Sequence, residues 1–113
     1  MLFIFMLKLT MSNFWKHQLP KGYYDISIEG SKNQQSVQAN WHKVTFLKVS
    51  DLVNSEEKVL DFACGSGTYL GKYLKNENNI GVDISASQIE YANEKYGGKA
   101  TFYDLDNFNF EDY

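Results

Sequence analysis

A run of small residues follows a short apolar segment in the middle of the chain, where the sequence reads Asp-Phe-Ala-Cys-Gly-Ser-Gly from Asp61 to Gly67. Gly65 and Gly67 allow backbone conformations that other residues avoid, and they let a ligand approach the main chain closely. Ala63 is nearly as small. The free N–H groups of a helix that begins here would favour a carboxylate or a phosphate. Alone, this turn fits a nucleotide-type cofactor and a tight strand-to-helix connection equally well.

Two aspartates stand at the ends of later apolar segments. Asp83 comes 22 residues after Asp61, and in an open α/β sheet a carboxylate at this place can accept hydrogen bonds from both hydroxyls of a ribose. Asp104 ends a third apolar segment in the same way. Each has a simpler interpretation, since Asp83 would also favour the N-terminus of the helix after it, and Asp104 lies in the acidic stretch Asp104–Asp106. Together, the glycine turn and the two acids favour a nucleoside-containing cofactor.

The elements that must position these residues alternate between strands and helices. Apolar runs predict strands over residues 58–63, 79–83 and 100–104. Helices are predicted over residues 36–53 and 68–75, and from Ser85 onward between the last two strands. This order predicts an α/β fold with a mostly parallel sheet. Parallel strands bring their carboxyl ends, and therefore all three aspartates, to one edge of the sheet.

The first helix has a clear apolar periodicity. Val37, Trp41, Val44 and Leu47 recur at spacings of four, three and three residues. This pattern predicts an amphipathic helix whose apolar face is buried, with Trp41 in the core.

The helix after the second strand has recognisable ends. Ser85 and Gln88 fit a capping box, in which each side chain satisfies a free N–H of the first turn. Gly97 and Gly98 are expected to end the helix in a left-handed conformation, and Ile89, Ala92 and Tyr96 are expected to form its buried face.

The composition narrows the possible functions. The chain has 113 residues, enough for one domain, with a net charge of −3 and no long basic run, which argues against a nucleic-acid partner. Cys64 is the only cysteine, so we expect a cytoplasmic location and a packing role for its thiol. His17 and His42 lie far apart, and no metal site is predicted. Residues 1–7 are apolar but too few to cross a membrane, and residues 1–10 are expected to be an upstream extension or a loosely ordered tail.

The stretch Val59–Thr68 resembles the first motif of class I S-adenosylmethionine-dependent methyltransferases, in which an acidic residue precedes small residues and glycines at alternate positions. Ile80–Ser85 resembles the second motif of that family, and Ala100–Phe110 resembles the third. A nicotinamide dinucleotide instead prefers the pattern G-x-G-x-x-G, and Leu70 stands at the third glycine position of that pattern. The resemblance covers roughly residues 36–113 and implies a Rossmann-like methyltransferase domain.

This resemblance implies a role for each residue of a cofactor site. Gly65 and Gly67 would lie against the methionine part of S-adenosylmethionine, and Asp61 would bind or orient its methionine end. Asp83 would hold the ribose, and Asp104 would contact the adenine amino group. The cofactor-binding set is completed by Ala63, Ile84 and Leu105. The methyl acceptor is expected to be a small molecule, and no catalytic base is identified.

The chain is expected to have two parts. Residues 1–35 would form an N-terminal extension that holds a candidate lid at Tyr23 and Tyr24, and residues 36–113 would form a partial S-adenosylmethionine-binding domain, truncated after its third strand. The first strand would then be an exposed apolar edge, where self-association is expected.

Three functions fit these features. The first is a methyltransferase-family cofactor module that is catalytic only with the rest of its domain. The second is a non-catalytic binding or interaction fragment that keeps the fold. The third, less well supported, is a fragment of a NAD-dependent oxidoreductase.

Overall fold

The computed structural model describes residues 13–29, called here the N-terminal segment, and residues 37–112. Three strands lie in this part of the chain: β1 (Leu60–Phe62), β2 (Asn79–Asp83) and β3 (Ala100–Asp104). Its longer helices are α1 (Tyr23–Glu29), α2 (Val37–Ser50) and α3 (Ala86–Tyr96). Shorter elements are a π-type turn over Tyr69–Tyr73, in place of the helix predicted over residues 68–75, and 3-10 turns over Leu105–Asn107 and Phe110–Asp112.

The strands form one parallel sheet in the order β1-β2-β3, which confirms the predicted α/β fold. β2 and β3 have the predicted bounds, whereas β1 is shorter than residues 58–63 at both ends. Before β1, the Val59 amide donates to the side-chain oxygen of Asn79 (2.9 Å). After it, Ala63 takes a left-handed φ of 68°, which turns the chain away from the strand direction.

The core lies on the side of the sheet that α3 and the π-type turn cover. α3 contributes Ile89, Ala92 and Tyr96, so its predicted buried face is confirmed. Cys64 belongs to the same cluster, which confirms the packing role expected of its side chain. The other buried members of the cluster are Tyr69, Leu70, Leu74, Ala100 and Phe102.

α2 forms where a helix is predicted, but it buries a different face. Trp41 is 63% exposed, and Val37, Val44 and Leu47 are also exposed, so their predicted place in the core is wrong. The face towards the core carries Phe46, whose ring centroid lies 5.3 Å from that of Tyr69 and 5.2 Å from that of Tyr73. Apolar periodicity predicts the helix, but the tyrosines of the π-type turn decide which side packs, since aromatic rings bring large buried areas.

Both ends of α3 differ from the prediction. Ser85 makes no capping hydrogen bond with its side chain. Gln88 is fully buried, and its side-chain oxygen accepts from the Gly22 amide (3.1 Å) and the Ser66 hydroxyl (2.8 Å). Long-range partners therefore occupy the group that a capping box would use locally. At the other end Gly97 has a φ of −60°, and neither glycine of the predicted stop is left-handed.

Some predictions fall on residues that the structure does not describe. The expected extension over residues 1–10 is one, and the expected boundary between residues 35 and 36 is another. Among the helices of residues 13–29 and 37–112, none combines the length and the apolarity that crossing a membrane requires.

Gly67→Ala is expected to lower the free energy of unfolding by about 1–3 kcal/mol. Gly67 has a φ of +74°, and a Cβ on it would stand 2.7 Å from the Phe102 ring and 2.9 Å from the Ala92 Cβ. Backbone conformation and packing therefore both oppose a side chain here. Urea unfolding followed by circular dichroism measures the loss. Gly98→Ala is the matched control, because a Cβ there meets nothing within 4 Å, and equal losses in the two variants would contradict the prediction.

Candidate functional site

The turn after β1 winds through three left-handed residues at alternate positions. Ala63, Gly65 and Gly67 have φ values of 68°, 55° and 74°, and the Gly67 amide donates to the Cys64 carbonyl (3.0 Å). Glycine adopts such values without a Cβ penalty, whereas another residue loses about 1–2 kcal/mol. The conformation of Ala63 is therefore imposed by the structure around it.

The Asp83 carboxylate ties the end of β2 to this turn. Its Oδ2 accepts from the Gly65 amide (2.8 Å), and its Oδ1 accepts from the Ser85 amide (2.9 Å). Asp83 therefore contacts both the glycine turn and the start of α3, and its contact with a ribose stays a prediction. Each carboxylate oxygen has two acceptor sites, and the pair can also accept from two hydroxyls of a ligand.

The Asp104 carboxylate shapes the loop after β3. Asp104 lies opposite Asp83 in the register of β2 and β3. Its Oδ1 accepts from the amides of Asp106 (3.0 Å) and Asn107 (3.2 Å), and its Oδ2 accepts from the Asn107 side-chain amide (2.7 Å). Because two donors already use Oδ1, Oδ2 is the oxygen suited to a further donor.

A first cavity opens at the end of β1. It has a volume of about 260 Å³ and brings together three predicted site residues, Asp61, Ala63 and Gly65. Its other walls are largely aromatic and include Tyr23, Tyr24, His42, Phe46 and Tyr69. The candidate lid residues Tyr23 and Tyr24 therefore contact the same space as the glycine turn.

A second cavity opens at the end of β3. It has a volume of about 420 Å³ and brings together Ile84 and Asp104 with Lys16 and His17 of the N-terminal segment. The predicted site residues that line neither cavity are Gly67, Asp83 and Leu105.

The two histidines lie at different cavities. His42 lines the first and His17 lines the second. Over the ranges that the structure describes, no three His, Cys, Asp or Glu side chains are grouped as metal ligands.

The first cavity is an unfavourable place for negative charge. Burial raises the pKa of Asp61 to about 6, and the charge of Asp83 adds to the effect. The same two causes, in the same order, raise the pKa of Tyr24 to about 12. Burial also raises the pKa of the Cys64 thiol, which leaves little reactive thiolate. A cationic ligand group in this cavity would favour the ionised form of Asp61.

The N-terminal segment is bonded directly to the glycine turn. The Tyr24 amide donates to Ser66 Oγ (3.2 Å), and the Ser66 hydroxyl donates to the side-chain oxygen of Gln88 (2.8 Å). The Gln88 side-chain amide donates in turn to the Pro20 carbonyl (2.7 Å). The Tyr24 ring packs on Gly65, where a Cβ would stand 2.5 Å from it. This segment is therefore a wall of the first cavity.

Asp25 is a residue next to the site that the sequence patterns do not reveal. Its carboxylate is fully buried and accepts from the Thr68 hydroxyl, the Lys95 ammonium group, and the hydroxyls of Tyr91 and Tyr96. Burial by itself raises the pKa of Asp25, but the donors outweigh it and hold the pKa below the usual value. In the sequence, the available signal is a lone acid within the first turn of α1.

Asp61→Asn is expected to stabilise the ligand-free protein at pH 7 by about 1–3 kcal/mol. The pKa of Asp61 is about 6 in the folded chain, above the ~3.9 of an unfolded aspartate. Between these values the folded state binds more protons, so the stability contributed by Asp61 falls as the pH rises through this window.

Urea unfolding of both proteins between about pH 4 and pH 8 measures this difference. The stability of the asparagine variant relative to the unsubstituted chain should increase up to about pH 6 and then level off. A difference that does not change with pH would contradict the raised pKa.

Comparisons with known proteins give one family match. Residues 59–112 match the family model described as the methyltransferase domain. Among curated proteins, none is similar enough to match the chain.

Three solved methyltransferase structures are similar to the chain. The plantazolicin methyltransferase BpumL, solved with a pentazolic desmethylPZN analog and SAH, is 25% identical with a TM-score of 0.48, over 91% of this chain and 42% of that one. A SAM-dependent methyltransferase from Anabaena variabilis is 24% identical with a TM-score of 0.48, over 85% and 39%. A TehB-like SAM-dependent methyltransferase from Corynebacterium glutamicum is 19% identical with a TM-score of 0.45, over 57% and 40%. The chain spans about two fifths of the length of these proteins.

Because these TM-scores lie below 0.5, the family assignment rests on the domain match. The matched residues include the glycine turn, Asp83 and Asp104, which the parallel sheet brings to one edge. Residues 59–112, just under half of the chain, match the methyltransferase domain and support a class I S-adenosylmethionine-dependent methyltransferase family.

Proposed function

We propose that the chain binds S-adenosylmethionine at the carboxyl ends of its strands, as the cofactor-binding half of a methyltransferase. The observation that carries this proposal is the Asp83 carboxylate, which ends the middle strand and accepts from the Gly65 amide at 2.8 Å. β2 stands between β1 and β3, so Asp83 lies between the first cavity at Asp61 and the second cavity at Asp104. A ligand with a cationic end, a ribose and a base suits this order.

The methionine end of the cofactor would occupy the first cavity. Asp61 offers its carboxylate to the positive charge there, and the small residues Ala63 and Gly65 leave room for the chain of the ligand. Gly67 has a supporting role, because it keeps the turn packed against Phe102.

The nucleoside end would extend past Asp83 towards the second cavity. Asp83 would accept from the ribose hydroxyls, and Asp104 would accept from the adenine amino group. Ile84 and Leu105 follow these acids in the sequence, and we assign them apolar contacts with the base.

When bound, S-adenosylmethionine supplies a sulfonium methyl group that is already activated for transfer. The residues of the chain would hold this group in a fixed geometry and keep water away from it. The aromatic side chains around the first cavity suit this task, because ring faces attract cations. They include Tyr23, Tyr24, Phe46 and Tyr69.

We further propose a small-molecule acceptor and a cytoplasmic location. The first cavity, at about 260 Å³, is small, and the net charge of −3 with no long basic run does not favour nucleic acid as a substrate. The single cysteine is buried, which fits a reducing compartment.

A second candidate function is a non-catalytic binding or interaction fragment. It is favoured by β1, which is an edge strand within the described residues and leaves Leu60 46% and Phe62 59% exposed. Parallel strands normally have both faces and both neighbours covered. Cofactor binding without methyl transfer to any tested acceptor would favour this second function.

Calorimetric titration with S-adenosylhomocysteine tests the proposed cofactor. The unsubstituted chain is expected to bind it, and Asp83→Asn is expected to weaken binding at least about tenfold, because hydrogen bonds to a charged acceptor contribute about 1.5–3 kcal/mol. Asp51→Asn makes the same chemical change at an exposed residue after α2 and should leave the affinity unchanged. Binding of NAD without binding of S-adenosylhomocysteine would overturn the assignment.

We also propose that the chain self-associates through the apolar surface of β1. Phe62→Lys is expected to shift the chain towards monomer, because it places a charge on this surface. Thr101→Lys is the matched control, since Thr101 is exposed on β3 at the far side of the sheet. Sedimentation velocity over a range of concentrations measures the shift. A purely monomeric unsubstituted chain, or equal effects of the two lysines, would contradict this proposal.

A further inference from the structure

The carboxylate of Asp25 is the most heavily bonded charged group in the described part of the chain. It is fully buried, yet it belongs to a short helix, α1, whose neighbouring residues Tyr23 and Ile26 are exposed. Its Oδ1 accepts from the Thr68 hydroxyl at 2.7 Å, and its Oδ2 accepts from the Lys95 ammonium group at 2.6 Å.

Two tyrosines of α3 complete the set of donors. The Tyr91 hydroxyl lies 2.8 Å from Oδ2, and the Tyr96 hydroxyl lies 2.9 Å from Oδ1 and 2.7 Å from Oδ2. Burying a carboxylate is unfavourable unless hydrogen bonds and an opposite charge compensate for the lost water, and here both do. If α1 moved away, the buried hydroxyls of Thr68 and Tyr96 would lose this partner at once, so the carboxylate strongly favours one position of the helix.

This position brings α1 onto the glycine turn. Thr68 directly follows Gly67, and Asp25 directly follows Tyr24, whose ring packs on Gly65 and whose amide donates to Ser66 Oγ (3.2 Å). The residues that form the bond between Asp25 and Thr68 therefore directly follow those that bring the Tyr24 ring onto the glycine turn.

We propose that Asp25 is a positioning residue of the cofactor site. Its carboxylate fastens α1 to Thr68 and α3, and so holds Tyr24 against Gly65 as the wall of the first cavity around the methionine end of the ligand. This inference rests on the proposed binding of S-adenosylmethionine. It goes further than that proposal, because it states that the affinity of the site depends in part on a residue that lines neither cavity.

A double-mutant cycle on S-adenosylhomocysteine affinity tests the inference. Asp25→Asn and Tyr24→Ala are each expected to weaken binding about tenfold, and the double variant is expected to bind within about twofold of either single variant, because residues that act as one unit are not additive. Losses that multiply would overturn the inference, since they would show that Asp25 acts independently of Tyr24. An affinity of Asp25→Asn equal to that of the unsubstituted chain would also overturn it.

Two further variants separate positioning from general loss of stability. Glu94→Gln removes a surface ion pair between α3 and Lys21 of the same N-terminal segment (3.0 Å) and is expected to leave the affinity unchanged. Tyr96→Phe removes one donor to Asp25 while keeping the ring, and it serves if Asp25→Asn does not fold. Tyr96→Phe is expected to weaken binding when Tyr24 is present and to have no further effect when it is combined with Tyr24→Ala.

Amide hydrogen exchange provides a readout that needs no ligand. In Asp25→Asn the Tyr24 amide is expected to exchange at least about tenfold faster, because its bond to Ser66 opens when α1 is released. The Ala63 amide, which donates to the Val82 carbonyl (2.8 Å), should keep its protection. Unchanged exchange of the Tyr24 amide in Asp25→Asn would overturn the inference. If this amide exchanges faster as expected but the unsubstituted chain binds no S-adenosylhomocysteine, the proposed function is overturned, whereas the role of Asp25 in holding α1 stands.

Discussion

The hydrogen bond from the Gly65 amide to the Asp83 carboxylate is the contact on which the arrangement of the strand ends depends. At 2.8 Å it joins the turn after β1 to the end of β2. The other oxygen of the same carboxylate accepts from the Ser85 amide at the start of α3. One side chain therefore fixes the turn after β1, the end of β2 and the start of α3 relative to one another. This requires a left-handed Gly65, because the turn must bend its amide towards β2, and Gly67 follows with the same conformation so that the chain can pass under Phe102 of β3.

The N-terminal segment joins this arrangement through two buried polar groups of different kinds. Gln88 is neutral, and it connects the Gly22 amide, the Ser66 hydroxyl and the Pro20 carbonyl. Asp25 is charged, and its carboxylate accepts hydrogen bonds from an ammonium group and three hydroxyls. Buried polar networks that are fully satisfied specify one arrangement, because any other would leave polar atoms without water or partner. The segment is thus positioned by directional bonds, whereas α2 is positioned mainly by aromatic packing.

The parts of this fold that the sequence predicts are those in which short-range pattern and long-range packing agree. β2 and β3 are apolar runs bounded by polar residues, and their bounds match the prediction. α2 is predicted as a helix, but periodicity cannot tell which face meets a partner that lies elsewhere in the chain, and Trp41 is exposed while Phe46 packs. The capping box at Ser85 fails for a related reason, since Gln88 finds partners more than 20 residues away in the sequence.

The candidate site divides in the same way. Sequence spacing predicts Asp61, Ala63, Gly65, Ile84 and Asp104 as site residues, and the structure divides them between the two cavities. The bonds that support them could not be read from spacing. The role of Asp25 depends on donors from Thr68 and α3 that are 43 to 71 residues distant, and no local pattern encodes such a contact.

The charges around the first cavity bear on which cofactor the site favours. Burial opposes the ionised form of Asp61 and raises its pKa, and the negative charge of Asp83 adds to the effect. A pyrophosphate placed beside Gly65 would add negative charge to two carboxylates, which opposes binding of a dinucleotide in this position. A cationic group placed there would instead favour the ionised form of Asp61, so part of the energy that opposes this charge would be recovered on binding. Leu70 supports the same conclusion from packing, because it is fully buried at the position where a dinucleotide site prefers glycine. The sulfonium and ammonium groups of S-adenosylmethionine carry positive charge, so Asp61 and Asp83 favour the proposed cofactor over a pyrophosphate at this position.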